Sequence, residues 1–287
     1  MLRQLANAAG SLGDAIDFLK QRKLLASKVT CTHCQKDKTW TKDETKGDGF
    51  FWRCPTCRKK TSIRHGSFFS KSKLTLPTCV ELLFCWAANV PVTHIRSYCG
   101  ARVSVKTAID FYNFLREVCS SQLLGEPILF GGPGVIVQID ESLFDHNSKY
   151  QRGRAPARIP QWVFGMYDTQ MKQGYMTLVP SRNALTLLPI IEEHTLPGSI
   201  IHSDMWAAYR QVARLPTVVA HETVNHRRHF VDPTTGAHTQ AIESYWARAK
   251  AKLKRMMGTT KEMLPSYLDE FMWKESSAWQ KRKWTNR

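Results

Sequence analysis

Two closely spaced cysteine pairs constrain the fold of this chain more than any other feature. The pairs are Cys31-Thr-His-Cys34 and Cys54-Pro-Thr-Cys57, and 19 residues separate Cys34 from Cys54. Two such turns bring four thiolates together around a tetrahedral Zn²⁺ ion, whereas the alternative is four unrelated buried thiols. We therefore predict a zinc ribbon over residues 28–75, in which the metal staples a domain too small for a large core.

The net charge indicates the kind of partner. The 287 residues include 41 Lys and Arg against 24 Asp and Glu, which gives a formal net charge of +17 and an isoelectric point near 9.7. This excess favours a polyanion, and nucleic acid fits better than an anionic membrane surface. The sequence has no apolar run long enough to span a bilayer and no signal-peptide pattern.

Residues 1–27 are predicted to form an amphipathic helix ahead of the ribbon. The apolar residues of its predicted buried side are Leu12, Ile16, Leu19 and either Leu24 or Leu25. Asp14 and Asp17 argue against a transit peptide, because such peptides are poor in acidic residues.

A basic run follows the second cysteine pair directly. It begins with Arg58, Lys59 and Lys60 and extends to Arg64 and His65. Two interpretations remain open, a solvated charged face and a strip that binds DNA phosphates.

Residues 76–124 have a helical pattern of apolar residues. The sequence Thr78-Cys-Val-Glu81 is predicted to open a helix as a capping box, a short helix follows Pro91, and Ser104 is predicted to cap a longer one. The predicted buried face of the longer helix consists of Val105, Ile109, Tyr112, Leu115 and Val118. Three helices in this order resemble a helix-turn-helix, which would place Lys106 in a DNA major groove, but other small helical bundles give the same pattern.

Residues 125–134 are rich in Gly and Pro, and we predict that they form a linker. The next segment, Val135 to Ser142, is predicted to be a buried strand because its side chains are largely β-branched and apolar. Asp140 lies at the end of its apolar run. A buried carboxylate is costly unless it is paired or binds a metal ion, so we expect Asp140 to be a metal ligand.

The order of elements after residue 135 predicts the fold of the third region. Three strands, a helix, a strand, a helix, a strand and a long helix are expected, as in a ribonuclease-H-like domain with a mixed sheet. The predicted chain is thus a multi-domain α/β protein, with a zinc ribbon and a small helix-turn-helix-like region before a catalytic domain over residues 135–287. Element order does not determine function by itself.

Three carboxylates are candidate ligands of a catalytic metal ion. Asp140 and Asp204 each follow a predicted strand, and Glu243 lies beside the apolar stripe of the last long helix. Their hard oxygen atoms suit Mg²⁺ or Mn²⁺ better than zinc. Lys250 and Lys254 continue the same edge of that helix and are expected to contact DNA phosphate. The competing acids are Glu141, Asp145 and Asp168, of which Asp168 is expected to stabilise a turn.

Further candidates flank these carboxylates. Arg152, Arg154 and Arg158 lie in a loop between the first two predicted strands, where they form either a solvated basic loop or a clamp on DNA phosphates. His202 and His226 are candidates for proton transfer or phosphate binding, although a structural hydrogen bond is the commoner role of such a residue.

A set of motifs in order along the chain resembles the catalytic domain of Merlin-superfamily transposases and of related bacterial insertion-sequence transposases. The motifs are Ile139-Asp140-Glu141-Ser142, Tyr150-x-Arg152-Gly153-Arg154, Trp162-Val-Phe-Gly165, Ile201-His-Ser-Asp204-x-Trp206-x-x-Tyr209, Val224-Asn-His226, Phe230-Val-Asp-Pro233 with Gly236-Ala-His-Thr-Gln240, Ile242-Glu243-Ser244-x-Trp246 with Lys250, and Leu264 to Trp273. The zinc ribbon also fits that group.

The resemblance implies a ribonuclease-H-like DDE transposase. Such an enzyme cuts DNA at terminal inverted repeats and joins the 3′ ends to target DNA by two-metal-ion chemistry. The resemblance assigns Asp140, Asp204 and Glu243 as catalytic Mg²⁺ ligands and Lys250 as the basic residue that follows the third acid. An alternative is a domesticated zinc-ribbon DNA-binding regulator without catalytic activity.

The expected partners follow from this activity. They are double-stranded DNA, as terminal repeats and as target, and a second copy of the chain, since two ends must be brought together. The expected location is the nucleus in a eukaryote, or the nucleoid and cytoplasm in a bacterium.

Overall fold

A computed structural model describes residues 2–144, 160–256 and 258–285 of the chain. The chain divides into two compact units, Met1–Asn113 and Phe114–Arg287. The division falls within one long helix, and the finer domain limits remain predictions. Among the described residues, no helix combines the length and the apolar character that a membrane crossing requires.

The first unit contains a small antiparallel sheet and several helices. Its elements are α1 (Leu2–Ala8), α2 (Leu12–Gln21), β1 (Thr39–Lys42), β2 (Phe50–Arg53), β3 (Lys60–Ser62), α3 (Leu76–Ala87), α4 (Ile95–Cys99) and the start of α5 (Val105–Gly125). The central strand β2 pairs with both β1 and β3, so the aromatic residues between the two cysteine pairs form a hairpin as expected.

The amino-terminal segment forms two helices where one was predicted. The first helix ends at Ala8. Ser11 caps the second helix by accepting a hydrogen bond from the backbone N–H of Asp14 at 3.1 Å. Capping by a serine side chain satisfies an N–H group that has no partner within the helix. The predicted apolar side is largely confirmed, since Ile16 and Leu19 are buried.

The helix starts in the rest of this unit agree only in part with the prediction. The predicted capping box at Thr78 is wrong, because Thr75 accepts the backbone N–H of Thr78 at 3.3 Å and α3 starts three residues earlier. Ser104 caps α5 as predicted, with 3.0 Å from its hydroxyl to the N–H of Thr107. The predicted face of α5 is partly wrong: Tyr112 and Leu115 are buried, but Val105, Ile109 and Val118 are exposed.

The second unit is a mixed α/β domain. Its elements are the rest of α5, β4 (Phe130–Gly131), β5 (Ile136–Leu143), β6 (Trp162–Asp168), β7 (Gln173–Val179), α6 (Ala184–His194), β8 (Thr195–Leu196), β9 (Ser199–Asp204), a 3₁₀ helix (Ala207–Arg214), β10 (Val218–Val224), α7 (Gln240–Arg255) and α8 (Leu264–Thr285). The strand and helix order predicted for a ribonuclease-H-like domain is present.

The five long strands form one sheet in the order β10-β9-β5-β6-β7. Strands β5, β6 and β7 are antiparallel neighbours, whereas β9 is parallel to both β5 and β10. Helical segments cover both faces. One core contains α6 and the 3₁₀ helix, and the other contains α7 and α8. Alternate residues of β5 therefore point towards different helices.

The segment predicted as a linker, residues 125–134, is built into this second unit. β4 pairs with β8, and Phe130 is fully buried in the core. Gly131 has a φ of +82°, and a Cβ at this position would lie 2.0 Å from Oγ of Ser199. Gly131, one of the turn residues that suggested a linker, thus allows a close approach of its backbone to the side chain of Ser199.

Candidate functional site

Asp140 lies within a strand, which corrects its predicted position at a strand end. β5 continues to Leu143, and it remains paired with β6 throughout, with Asp140 opposite Gly165. The pairing of β5 with β9 ends at Gln138, which lies opposite His202. Asp140 therefore lies just beyond the point where β5 separates from its parallel neighbour, and strand ends in such crevices commonly bind ligands.

Asp204 is the last residue of β9, as predicted. In the β5–β9 pairs the two residue numbers differ by a constant 64, as in Ile136 with Ile200. Asp140 and Asp204 both follow the last of these pairs, so they lie at the same end of two parallel strands.

Helix α7 crosses the face of β5 that carries Asp140, and three side chains of the strand contact it at regular intervals. Four helical residues rise about 6 Å and two strand residues about 6.6 Å, so contacts recur at these spacings. The three contacts are Gln138 Oε1 with the backbone N–H of Ala241 and Ile242 at 2.9 and 3.1 Å, Asp140 Oδ2 with Nε1 of Trp246 at 3.1 Å, and Ser142 Oγ with Nζ of Lys250 at 2.6 Å. The strand thereby fixes both the angle and the register of the helix.

Two glycines allow this close packing. A Cβ at Gly165 would lie 2.4 Å from Cη2 of Trp246, and one at Gly174 would lie 2.3 Å from Cε1 of Tyr245. These residues lie on β6 and β7 respectively, beneath the two adjacent aromatic residues of α7. Because larger residues do not fit, the sequence Trp162-Val-Phe-Gly165 has a structural reason for its final glycine.

Glu243 lies in the first turn of α7, and 52% of its side chain is exposed. The hydroxyl of Thr239 donates to Oε1 of Glu243 at 2.9 Å. Nε2 of His226 lies 2.9 Å from the same hydroxyl and 3.8 Å from Oε1 of Glu243. Thr239 and His226 thus hold the carboxylate of Glu243 at the entrance of the site.

The negative charges of Asp204 and Glu243 both act on the carboxyl group of Asp140. Burial raises the pKa of Asp140 to about 6; the N–H of Trp246 opposes this rise, and the negative charges of Asp204 and Glu243 add to it. A buried carboxylate next to two others has a strong tendency to bind a cation. The oxygen donor set suits Mg²⁺ or Mn²⁺.

The three carboxylates do not form a closed set of ligands. Among the described residues, the His, Cys, Asp and Glu groups with ligand atoms all within 4.8 Å of one another are the four cysteines, not these acids. Since Glu243 bonds to Thr239, its side chain would have to turn inwards to join a metal ion bound by Asp140 and Asp204.

Glu141 points to the opposite face of the sheet. Its Oε1 accepts a hydrogen bond from the hydroxyl of Tyr209 at 2.7 Å, and burial raises its pKa to about 7. Asp204 accepts the backbone N–H of Trp206 at 2.9 Å, and Trp206 Nε1 donates to the carbonyl of Arg182. These bonds explain the spacing of the motif from Asp204 to Tyr209. Trp206 contacts Asp204 at the end of β9, and Tyr209 contacts Glu141 on β5.

The other predicted acids and histidines have varied positions. Asp168 stabilises a turn as predicted, because its Oδ1 accepts the backbone N–H groups of Gln170 and Met171. His202 is buried, which lowers its pKa, and lies 3.6 Å from Glu222. Asp145 lies outside the described residues.

The four cysteines of the two closely spaced pairs, Cys31, Cys34, Cys54 and Cys57, meet as predicted. Sγ of Cys31 and Sγ of Cys57 are 3.6 Å apart, close to the value of about 3.8 Å for two thiolates on a tetrahedral zinc ion. Backbone N–H groups of Cys34 and His33 lower the pKa of Cys31 to about 6, and that of Cys57 acts similarly on Cys54. These four side chains fit a structural Zn²⁺ ion.

The predicted DNA-contacting residues fall into three groups. Arg58, Lys59, Lys60, Lys106 and Lys254 are exposed, and Lys250 is partly buried. Arg152, Arg154 and Arg158 lie outside the described residues. Arg64, part of the predicted basic strip, is instead buried and paired with Asp48.

Gln138 is an important residue that the sequence interpretation missed. Gln138 is fully buried and bonds to α7, and its Nε2 lies 3.1 Å from Nδ1 of His238. A polar residue within an apolar strand was the available signal, because a buried amide must find partners.

Comparison with known protein families now identifies the chain. Its second unit has the element order of a ribonuclease-H-like domain with acids gathered at one sheet edge. Residues 133–276 match the ISXO2-like transposase domain, and the chain belongs to this family.

Two relatives are similar to parts of this chain. An uncharacterized transposase-like protein of Haemophilus influenzae is 32% identical over 100 residues, which cover 35% of this chain and 78% of that protein. Male abnormal protein mab-31 of Caenorhabditis elegans is 25% identical over 205 residues, which cover 65% of this chain and 47% of that protein. The chain thus spans about half the length of this second relative.

Solved structures of lower similarity also match. The catalytic core domain of BIV integrase has 13% identity and a TM-score of 0.33, with 48% of this chain and 80% of that chain covered. A pre-cleavage Mos1 transpososome has 12% identity and a TM-score of 0.27, with 71% and 95% covered. Scores this low carry no argument about fold or function.

Proposed function

We propose that the protein is a Mg²⁺-dependent DDE transposase of the Merlin superfamily that cuts terminal inverted repeats and transfers the 3′ ends to target DNA. The observation that carries this proposal is that the negative charges of Asp204 and Glu243 both act on the buried Asp140 within an ISXO2-like transposase domain. The proposed partners are double-stranded DNA and a second copy of the chain, and the proposed location is the nucleus or the nucleoid.

Asp140 and Asp204 would hold the metal ion, and Glu243 would complete the site after leaving Thr239. When bound, Mg²⁺ would supply positive charge at the phosphate and lower the pKa of the attacking water or 3′-hydroxyl. The N–H of Trp246 orients Asp140 from the side of α7.

The basic residues near this site suit the DNA backbone. Ser142 holds Lys250 on the same face as Asp140, and Lys254 lies one helical turn further and is exposed. Cationic side chains at these positions would bind phosphates on one side of the scissile bond. In the first unit, the zinc-binding cysteines would stabilise a ribbon whose exposed Arg58, Lys59 and Lys60 contact DNA, and Lys106 would do so from α5.

Cleavage of DNA that carries the ends of the element tests the proposal. Replacement of Asp140, Asp204 or Glu243 by Ala should reduce cleavage and strand transfer at least about 100-fold, while DNA binding persists. Glu192→Ala is a matched control, because this acid is exposed on α6 away from the site. Full strand transfer by the Asp140 variant would refute the assignment.

The alternative is a DNA-binding regulator that retains the fold without the chemistry. The bond between Glu243 and Thr239 is the observation that favours it, because Oε1 of this acid is already engaged by a hydroxyl group. Sequence-specific binding of the ends by the wild-type protein, without nicking in Mg²⁺ or Mn²⁺, would support this alternative.

A further inference from the structure

The segment between β10 and α7, residues 225–239, presents an aromatic side chain to solvent, and we name this segment the Phe230 loop. The side chain of Phe230 is 81% exposed, and that of Val231 is 43% exposed. Burying a phenylalanine side chain is favourable, so this degree of exposure needs an explanation. A binding partner for the ring would provide one.

The charge of the loop indicates the chemistry of that partner. Arg227 and Arg228 are exposed and precede Phe230 by three and two residues. The acidic residue of the loop, Asp232, is already engaged, because its Oδ1 accepts the backbone N–H groups of Thr234 and Thr235 at 3.0 Å. The exposed surface around Phe230 is therefore cationic and suits a polyanion.

The loop is anchored at both ends. Near its start, Nε2 of His226 bonds with the hydroxyl of Thr239. Near its end, the ring of His238 contacts the buried amide of Gln138, and its backbone N–H lies 3.4 Å from Nδ1 of His202. The exposed residues thus project from a base that is fixed to the sheet.

This base adjoins the candidate catalytic site. His226 lies 3.8 Å from Oε1 of Glu243, and Thr239 donates to the same oxygen. A DNA strand that reaches the carboxylates therefore passes close to the loop.

We propose that Phe230 stacks on an unpaired nucleobase of the DNA beside the cleavage site, and that Arg227 and Arg228 bind the adjoining phosphates. This inference rests on the proposed function. A base presents a flat apolar face between charged phosphates, which matches an exposed ring that follows two arginines. A protein partner is less well suited, because the large exposed apolar side chains of this loop are Phe230 and Val231.

The probe is a short DNA duplex, either fully paired or with one unpaired 2-aminopurine, whose fluorescence falls on stacking. Wild-type protein should prefer the unpaired probe and quench it. Phe230→Ala should lose roughly fivefold to 150-fold in affinity for that probe and no longer quench it, with little change on the paired duplex. Phe230→Trp should retain the preference, and Val231→Ala is the matched control.

The arginines give a separate readout. The double variant Arg227→Ala with Arg228→Ala should weaken binding to both probes and reduce the slope of log affinity against log salt by about 1.8. The preference for the unpaired probe should remain.

Three results would contradict this inference, and each has a different consequence for the proposed function. If the wild-type protein cuts its DNA ends and Phe230→Ala binds both probes like the wild type, this inference fails and the proposed function stands. A changed oligomeric mass of Phe230→Ala, with unchanged DNA binding, would assign the loop to a protein interface. If the wild-type protein binds neither probe, the proposed function fails as well.

Discussion

The indole N–H of Trp246 donates to Oδ2 of Asp140 at 3.1 Å, while its ring covers Gly165, the residue paired with Asp140 in the next strand. One aromatic side chain thus packs α7 against the sheet and orients a candidate metal ligand. Helix packing and the geometry of the acid are therefore coupled, and a change beneath the ring should affect both.

Gly165→Ala tests this coupling. The new methyl group would lie 2.4 Å from the ring, so Trp246 must move away from β6. We expect a loss of about 1–3 kcal/mol in the free energy of unfolding, together with a loss of cleavage. Denaturant unfolding measures the first effect. Gly125→Ala is the control, since a Cβ there meets nothing within 4 Å. Equal behaviour of the two variants would contradict the coupling.

Gln138 is expected to position α7 through its side-chain oxygen. Gln138→Met keeps the size but leaves the N–H groups of Ala241 and Ile242 without their acceptor, which should cost about 1–3 kcal/mol. Gln138→Glu keeps the acceptor, and negative charge is favourable at a helix N-terminus, so it should be less destabilising. Thermal unfolding compares the two variants. A more stable methionine variant would count against this role.

The extent of sequence-based prediction can be judged from particular residues. The cysteine spacing and the strand order were predictable because each has few geometric solutions. The predicted position of Asp140 at a strand end was wrong because β6 continues to pair with β5 after β9 has separated. Separation of neighbouring strands is a tertiary property that the local sequence of one strand does not contain.

The sequence interpretation did not predict contacts between residues that are far apart in the sequence. Hydrogen bonds of Gln138 with α7, and of Glu141 with Tyr209, join residues far apart in the sequence. The roles of Asp140, Asp204 and Glu243 were suggested by family resemblance and not by spacing. The structure adds the physical reason why the acids interact: Asp140 and Asp204 lie on neighbouring strands, and α7, which carries Glu243, packs against β5.

The pKa of Asp140 predicts a pH-dependent stability. Its folded-state value of about 6 is above the ordinary 3.8, so the folded protein retains a proton that the unfolded chain releases between about pH 4 and 6. Stability therefore falls as the pH rises through this window, by about 3 kcal/mol, and the cost remains above pH 6. Asp140→Asn lacks this titration and should be the more stable protein at pH 7 without divalent metal. Thermal unfolding across this pH range is the measurement.

Binding of a divalent metal ion should restore much of the stability that is lost when Asp140 ionises. Mg²⁺ is expected to raise the melting temperature of the wild-type protein at pH 8 and to have little effect at pH 5, where protons compete for the carboxylate. Asp140→Asn should respond weakly at either pH. An equal response of both proteins would show that Mg²⁺ binds elsewhere.

Zinc removal should affect the first unit selectively. The purified protein is expected to contain one Zn²⁺ per chain, and chelation should unfold residues up to about 75 while the ISXO2-like domain stays folded. Cys57→Ser should lower the zinc content measured by elemental analysis. Cys85→Ala is the control, because this buried cysteine lies outside the four-cysteine cluster. Unchanged unfolding after complete loss of zinc would exclude a structural role.

A buried charge cluster joins α5, α7 and α8 in the second unit. Its centre is Glu270, whose side chain is 4% exposed and lies 2.6 Å from Lys252, 2.8 Å from Lys274 and 3.9 Å from Arg116. Burial alone would raise the pKa of Glu270, but Lys252 and Lys274 together lower it. Burial also lowers the pKa of Lys252 to about 8.

Glu270→Gln should strongly destabilise the second unit, because it leaves buried cations without their counter-charge. The expected loss is about 3–5 kcal/mol at pH 7, measured by denaturant unfolding. Glu275→Gln on the same helix is the control. Its pair with Arg248 is exposed and should contribute less than about 1 kcal/mol.

Since the pKa of Glu270 is lowered on folding, its contribution is complete above about pH 4.5 and is lost as the pH falls below that value. The variant should therefore lose less stability than the wild type on acidification, and an identical acid dependence of the two proteins would contradict this role.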